Sequence, residues 1–324
     1  MSANLRCSAF VFVLCNLCGT EGLVPWWKRC ELLDLTYKIE ENKPYNPIPP
    51  IENHLFKLTK VIDEPLPIPI PQGKVHLSMN AVKLSEHYST HMDAPIHVRR
   101  ITDMDGKKHS LDQVPLTQFF GEACVLDIPE SEKDDLSSNY EISVADVMEW
   151  EEKNGQLHED CIVVVRTGRG KYWDDIDKYL GVPEGKDRKP GNLNFPSISP
   201  KATDWIIKNR GLKGLAVESV SLDAGNSTEF YDSVHTILLG AANRPGIENI
   251  ANVDKLPVRG ATIMTLPANI ARGTGGMVRI AAYGHTGAKD PCRLDASGHG
   301  EKTTYVGGLS FLASAIALLF NRIG

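Results

Sequence analysis

Short apolar runs alternate with amphipathic segments through the middle of the chain, and this pattern predicts an α/β domain. The run CIVVV at residues 161–165 is continuous and β-branched, which is typical of a strand buried on both faces. Other strand-like runs lie at residues 32–36, 75–84, 214–217, 260–264 and 277–282. Because strands and helices alternate irregularly, we predict a mixed sheet.

Three segments carry the end signals of helices. Ser143, with Asp146 at the capping-box position, opens a helix that ends at Gly155. A Ser-Pro pair opens a second helix within residues 199–211, which a glycine terminates. A third, short helix is expected over residues 234–239 behind a polar cap. No linker interrupts the middle of the chain, so we predict a single compact domain.

Residues 44–71 hold eight of the 20 prolines. Such a stretch cannot form a helix or an inner strand, because proline lacks the backbone N–H that both structures need. We therefore predict an extended surface arm, which is either a lid over a site or a connecting loop.

The N-terminus differs from the middle of the chain. Residues 7–18 read CSAFVFVLCNLC, follow a single arginine and give way to small and polar residues. This layout predicts a signal peptide over residues 1–22, with a buried first helix as the alternative. The domain would then occupy residues 23–295.

The C-terminus differs as well. Residues 305–320 carry no charge, and small residues followed by a polar stretch precede them. Over residues 296–324 this is the layout of a glycolipid-anchor signal, and a short membrane helix is the alternative. We expect an exported protein, attached to the membrane at the cell surface through this anchor or simply secreted.

Composition excludes several classes of protein. The chain has 324 residues, a hydrophobic fraction of 42% and a charged fraction of 23%, so it can fill a core and is not disordered. A net charge of −6 gives no basic excess, and we predict no nucleic-acid partner.

Cysteine usage agrees with export. Three of the seven cysteines lie in the predicted signal. Cys124 and Cys161 sit in apolar strand-like runs and are expected to be buried free thiols, whereas Cys30 and Cys292 flank the domain and could pair. Asn226 opens a glycosylation sequon.

The most informative segment is HYSTHMDAPIH at residues 87–97. Its four candidate chemical groups, on His87, His91, Asp93 and His97, are all odd-numbered, so an extended chain would place them on one face. A helix would scatter these groups, and Pro95 would break it. Imidazole and carboxylate donors without thiolate suit Zn²⁺ or Mn²⁺.

Distance adds a constraint on this segment. On a straight strand, His87 and His91 would lie about 13 Å apart at roughly 3.3 Å per residue. A metal needs donor atoms about 2 Å away. If both histidines are ligands, the chain must turn sharply within residues 88–90.

This segment resembles the His-x-Gly-Thr-His-x-Asp-x-Pro-x-His signature of the metal-dependent cyclase-like hydrolases, a family that includes bacterial-type kynurenine formamidase and isatin hydrolase. The resemblance covers about residues 31–285. It implies a compact, barrel-like α/β domain that forms homo-oligomers. Further segments similar to the family lie at residues 33–36, 166–168, 172–173, 194–199, 217–223, 248–250, 256–257 and 265–267.

The resemblance also implies roles for individual residues. The expected metal ligands are His87, His91 and Asp93. His97 would be the catalytic acid/base. His235 and Glu248 match the pair that can complete a second metal position, with Asp93 as the bridge, so one or two divalent ions are expected.

Two positions depart from the family pattern. Ser89 stands where the family has glycine, and a serine pays a steric cost if that position needs a positive φ. Glu218 replaces the usual aspartate at a strand end. Neither departure removes a ligand.

The implied reaction is metal-assisted hydrolysis of an amide C–N bond in a small aromatic substrate. N-formyl-kynurenine is the first substrate expected, and it would make the chain an arylformamidase. An isatin-like lactam is the second. A hydrolase of lactones or esters, or an inactive surface protein that binds a metal or ligand, remains an alternative. Because binding alone needs no general base, the retention of His97 favours the enzyme.

Overall fold

The computed structural model describes residues 32–40, 56–65, 74–103 and 106–284. The chain divides into two units, and Leu32–Tyr283 contains all but the last of the described residues. The predicted signal, the hydrophobic tail and the Cys30–Cys292 pair lie outside the described residues. Within the described ranges, no helix is long and apolar enough to cross a membrane.

The predicted strands and helices are present. The strands are β1 (Leu32–Asp34), β2 (Lys57–Pro65), β3 (His76–Lys83), β4 (His91–Asp93), β5 (Phe120–Asp127), β6 (Glu141–Ile142), β7 (Cys161–Arg166), β8 (Ser197–Ile198), β9 (Gly214–Val217), β10 (Gly246–Glu248), β11 (Ala261–Pro267) and β12 (Gly275–Tyr283). The α-helices are α1 (Glu130–Lys133), α2 (Val144–Asn154), α3 (Ile176–Leu180) and α4 (Pro200–Asn209), and a π-helix spans Thr236–Ala241. Short 3₁₀ helices occupy Ile101–Asp103, Leu111–Gln113, Leu116–Phe119, Arg169–Tyr172 and Val253–Lys255.

Seven of these strands close into a barrel. Their order is β12-β11-β5-β7-β9-β10-β4, and β4 pairs back onto β12. β5, β7, β9 and β10 run parallel to one another, whereas β4, β11 and β12 make antiparallel pairs. β1 extends the sheet beside β12. The mixed, barrel-like α/β domain expected from the sequence is confirmed.

The helix ends lie where the capping signals predict them. The Ser143 hydroxyl accepts from the Asp146 backbone N–H at 3.3 Å, and the Asp146 carboxylate accepts from the Ser143 N–H at 2.7 Å. Gly155 follows α2 with a φ of 84°. Ser199 caps α4 in the same way, through the backbone N–H of Ala202.

Residues along a barrel strand alternate between two cores. Ala123 and Val125 of β5 join the core inside the barrel. Cys124 and Leu126 face outward and join a second core, to which α2 contributes Val147. This alternation follows from the two-residue period of a strand. The helices therefore cover the outer face of the parallel strands.

Cys124 and Cys161 form a disulfide between the adjacent strands β5 and β7. The expectation of free thiols is therefore wrong, although both side chains are fully buried as predicted. The cause is strand register, which brings the two Cα atoms to 5.8 Å, within the span of a disulfide. A separation of 37 residues hides this proximity in the sequence.

Part of the proline-rich stretch forms an isolated hairpin. β2 pairs antiparallel with β3, from Lys57 opposite Lys83 to Pro65 opposite His76. Both strands are largely exposed, as expected for a segment that is not an inner strand. The flanking residues 41–55 and 66–73 lie outside the described part, so the choice between lid and loop stays a prediction.

Candidate metal centre

Two of the candidate ligands lie on the outer face of the barrel. Met92, in the middle of β4, joins the core inside the barrel. Because neighbouring side chains of a strand point to opposite faces, His91 and Asp93 both point outward. Each is only 1% exposed, so the face on which they lie is covered.

Glu248 meets these ligands from the neighbouring strand. In the β10–β4 register Glu248 lies directly opposite His91, which puts the two side chains on the same face. Glu248 Oε2 is 3.4 Å from His91 Nε2, and Asp93 Oδ1 is 3.2 Å from the same nitrogen. Glu248 is 2% exposed. The barrel thus joins groups that are more than 150 residues apart in sequence.

His87 reaches the same place through the predicted turn. Ser89 has a φ of 58°, in the left-handed region, so the chain does turn within residues 88–90. The turn brings His87 Nδ1 to 2.7 Å from Asp93 Oδ1. The steric cost expected for a serine at this position therefore applies here.

The four odd-numbered residues gather by turns rather than along one extended strand, which corrects the sequence-based expectation. Only His91–Asp93 is strand, and the chain turns again before His97. The His97 ring stacks on the His87 ring at a centroid distance of 3.9 Å. A straight strand would have spread these side chains too widely to meet.

His235 approaches from the turn of helix that leads into the π-helix. Its Nε2 lies 3.1 Å from Glu248 Oε1 and 3.6 Å from Asp93 Oδ2. On the other side of the ring, Nδ1 lies 2.6 Å from Asp223 Oδ2. The sequence assigns no role to Asp223, which is only the last residue of the family-like segment 217–223. No spacing pattern links it to His235.

The arrangement fits a divalent cation. His91 Nε2 and Asp93 Oδ2 are buried without any hydrogen-bond partner. Burying two carboxylates, those of Asp93 and Glu248, is costly unless positive charge compensates them. Histidine nitrogen and carboxylate oxygen are donors that suit Zn²⁺ or Mn²⁺.

Two clusters of three candidate ligands share Asp93. Within each cluster the ligand atoms lie within 4.8 Å of one another. The clusters are His91, Asp93 and Glu248, and His87, Asp93 and His97. The bridging role expected for Asp93 stays a prediction. His97, expected as the acid/base, also lies close enough to be a ligand.

Charge coupling within the site is strong. Burial raises the pKa of Asp93, but the imidazoles of His97 and His91 outweigh it and hold that pKa well below its usual range. Burial lowers the pKa of His91, yet the Asp93 carboxylate raises it to about 9. Burial lowers the pKa of His97 to about 3, so its imidazole is neutral near pH 7.

A hydrogen bond to Thr274, which Glu86 holds in turn, supports the ring of His87. Its Nε2 lies 3.1 Å from the Thr274 hydroxyl, which donates to the Glu86 carboxylate at 2.7 Å. No sequence pattern indicates a role for Thr274 or Glu86. Outer partners of this kind fix ring orientation in metal sites.

A different cluster of potential ligands is already committed to other bonds. It consists of Glu122, Cys124, His158 and Cys161. The two sulfurs are joined in the disulfide. The Glu122 carboxylate accepts from the Arg259 guanidinium at 3.1 and 2.9 Å and from the Gly260 N–H at 2.9 Å. The two clusters that share Asp93 are therefore the better candidates for a cation site.

A cavity opens beside the candidate metal ligands. Its polar lining residues include His97, His235, Asp223 and Glu229. Its walls are mostly apolar and include Val98, Pro190, Leu193, Phe195, Val220 and Phe230. The turn at the rim of this cavity carries exposed Asn226, the predicted glycosylation site.

Isatin hydrolases are similar to this chain in both sequence and fold. The isatin hydrolase of Roseibium aggregatum is 26% identical over 254 residues, which are 78% of this chain and 91% of that protein. Isatin hydrolase A from Ralstonia solanacearum superimposes with a TM-score of 0.66 at 25% identity, covering 88% of this chain and 99% of that one. Isatin hydrolase A from Labrenzia aggregata, bound to benzyl benzoate, gives 0.65 at 26% identity, covering 84% and 98%.

A sequence model of the Cyclase family, described as "Putative cyclase", matches residues 33–224. The match covers more than half of the chain and includes the turn and strand that carry His87, His91 and Asp93. Together with the barrel and the gathered histidines and carboxylates, it establishes that this chain belongs to the Cyclase family.

Proposed function

We propose that this protein is a metal-dependent hydrolase that opens the C–N bond of an isatin-like cyclic amide. The observation that carries the proposal is the position of His97. It belongs to a cluster of candidate metal ligands and also lines the apolar cavity. A substrate in the cavity would therefore meet the metal and the imidazole of His97 together.

The walls of the cavity indicate the class of substrate. Phe195, Phe230 and Leu193 present apolar surface, and the polar lining includes the two imidazoles that lie beside the candidate ligands. An aromatic ring would bury its faces against such walls. Its amide carbonyl would then point toward His97 and His235, which line the cavity.

The relatives support a lactam over an open-chain amide. The chain is similar to isatin hydrolases over most of its length and of theirs. Aromatic formamides such as N-formyl-kynurenine are the second substrate class, since they offer the same carbonyl attached to an aromatic amine.

The residues of this chain have separate tasks in the reaction. A divalent cation held by His91, Asp93 and Glu248 would supply Lewis acidity, which would make water more acidic and polarise a carbonyl oxygen. His97 accepts the proton of the attacking water while the new C–O bond forms. It returns the proton to the leaving nitrogen as the C–N bond breaks, so the ring opens to an amine and a carboxylic acid, which releases its proton to solvent.

A substrate panel tests the proposal. The purified chain, loaded with Mn²⁺ or Zn²⁺, is assayed with isatin, N-formyl-kynurenine, an aryl ester and a lactone. Turnover of isatin above the other compounds is expected. Preference for N-formyl-kynurenine would shift the assignment to arylformamidase, and preference for the ester or lactone would contradict the amide assignment. Metal binding without turnover of any compound would leave the binding protein as the correct alternative.

A further inference from the structure

Asn249 links the two strands that carry the metal-binding side chains. It directly follows Glu248 and is only 1% exposed. Its backbone has a φ of 56°, in the left-handed region that asparagine tolerates better than most residues. Its side-chain amide donates to the Ser89 carbonyl at 2.9 Å.

The Ser89 carbonyl also holds His91. It accepts from His91 Nδ1 at 2.9 Å, in addition to the bond from Asn249. Because a carbonyl oxygen can only accept, Nδ1 of His91 must carry the proton. When the ring is neutral, as a metal ligand must be, this leaves Nε2 without a proton and directed at Asp93 and Glu248, where a metal would bind.

The backbone of Asn249 adds a second link to the same turn. The Thr90 hydroxyl donates to the Asn249 carbonyl at 2.6 Å. The same hydroxyl oxygen accepts from the Tyr37 backbone N–H at 3.0 Å. Asn249 therefore contacts two consecutive residues of a turn in which Ser89 has a strained conformation.

Tyr179 contacts the oxygen end of the Asn249 amide. Its hydroxyl lies 2.8 Å from Asn249 Oδ1 and 2.7 Å from the Glu218 carbonyl, and its single proton is shared between these two acceptors. The Ser89 carbonyl can only accept, so the NH₂ group must face Ser89 and Oδ1 faces the Tyr179 hydroxyl. All of these groups are buried, so water does not replace the bonds.

We propose that Asn249 is a positioning residue, which holds the Ser89 turn so that His91 presents Nε2 to the metal. Glycine at position 89 would adopt this turn without the steric cost of a side chain. Serine adopts it here because two donors hold its carbonyl in place. This inference rests on the proposed metal centre.

The test compares two asparagines that share a left-handed backbone. Asn249→Gly keeps that conformation available and removes only the amide. Asn252→Gly is the control, since Asn252 has a φ of 53° and its amide bonds to the Asp34 carbonyl away from the site. The affinity for Mn²⁺ is measured by competition with a metal indicator, and unfolding of the metal-free proteins is measured in parallel.

Asn249→Gly should weaken Mn²⁺ binding by about 10–100-fold, the usual effect of losing a hydrogen bond that helps to orient a metal ligand. Asn252→Gly should lower stability but leave Mn²⁺ affinity unchanged. Tyr179→Phe should weaken binding in the same direction by less. The double variant Asn249→Gly, Tyr179→Phe should be no worse than Asn249→Gly, because both changes act through one amide.

Each outcome separates the two hypotheses. If the parent binds Mn²⁺ and Asn249→Gly binds it equally well, the positioning role is wrong and the metal centre stands. If the parent binds neither Mn²⁺ nor Zn²⁺, the metal centre itself is wrong. Should Asn249→Gly fail to fold by circular dichroism, Tyr179→Phe decides, and unchanged affinity in that variant overturns the inference.

Discussion

The carboxylate of Asp223 lies 2.6 Å from Nδ1 of His235, and the opposite nitrogen of that ring faces Glu248 at 3.1 Å. Asp223 also accepts from the Val234 backbone N–H at 2.6 Å, which fixes the start of the helix that carries His235. Carboxylate, imidazole and metal position are thus aligned as in many metalloenzymes. Asp223 determines which nitrogen of His235 is free.

Asp223→Asn should weaken metal binding by about 10–100-fold. An amide NH₂ facing Nδ1 of His235 would favour the tautomer that puts a proton on Nε2, the nitrogen nearest Glu248. Indicator competition with Mn²⁺ measures the change. Asp232→Asn is the control, because Asp232 is an exposed partner of Arg100. Equal affinities in the two variants would contradict the role of Asp223.

Loss of His91 and Asp93 together should abolish the metal. We expect elemental analysis of the His91→Ala, Asp93→Ala variant to find no bound metal, because both candidate clusters lose a donor. The parent should also gain about 2.7 kcal/mol of unfolding free energy at a metal concentration 100-fold above Kd. The variant should gain none. Full metal occupancy in the variant is the result that excludes the assignment.

His97→Ala separates ligation from proton transfer. We expect the variant to keep its metal and to lose about 10²–10⁴-fold in turnover, the typical contribution of a general acid–base group. Elemental analysis and steady-state assays on the same preparation measure both quantities. Metal lost along with activity would identify His97 as a ligand, and activity within a few-fold of the parent would exclude both roles.

The disulfide between Cys124 and Cys161 should stabilise the domain. Closing a loop of 37 residues contributes about 4 kcal/mol in the chain-entropy description. A dithiol should therefore lower the denaturant midpoint of the parent but not that of a Cys124→Ala, Cys161→Ala variant. Alkylation in denaturant without reductant should leave both cysteines unmodified. Modification of both under those conditions would restore the free-thiol interpretation.

The pH dependence of stability should include a contribution from Glu122. Burial raises the pKa of Glu122, but bonds from Arg259 outweigh it and lower that pKa from its ordinary 4.5 to about 2. Because the folded pKa is the lower one, the stabilisation is complete above pH 4.5 and is lost as the pH falls toward 2.

Denaturant unfolding of the metal-free protein between pH 6 and 2.5 checks this sign. Glu122→Gln should be less stable than the parent at pH 6, and the difference should shrink as the pH falls. Glu149→Gln serves as the control, since Glu149 is exposed and pairs only with a neighbouring lysine on α2. A constant difference between Glu122→Gln and parent would show that the carboxylate charge contributes nothing.

Much of the fold follows from the sequence because its signals are local. The β-branched run of β7 and the capping box at Ser143 depend only on residues a few positions apart. The turn at Ser89 was also predictable, since a straight strand cannot bring His87 and His91 to one ion. The resemblance to a family supplied His235 and Glu248, which no local pattern would have connected.

Other features depend on strand order and register, which the sequence does not display. Glu248 meets His91 because β10 pairs with β4, and Cys124 meets Cys161 because β5 lies beside β7. The sequence determined which residue types are available for metal chemistry and which segments are strands. Only the closed barrel decided which distant groups face one another, because contacts between residues far apart in the chain form only when the strands pair.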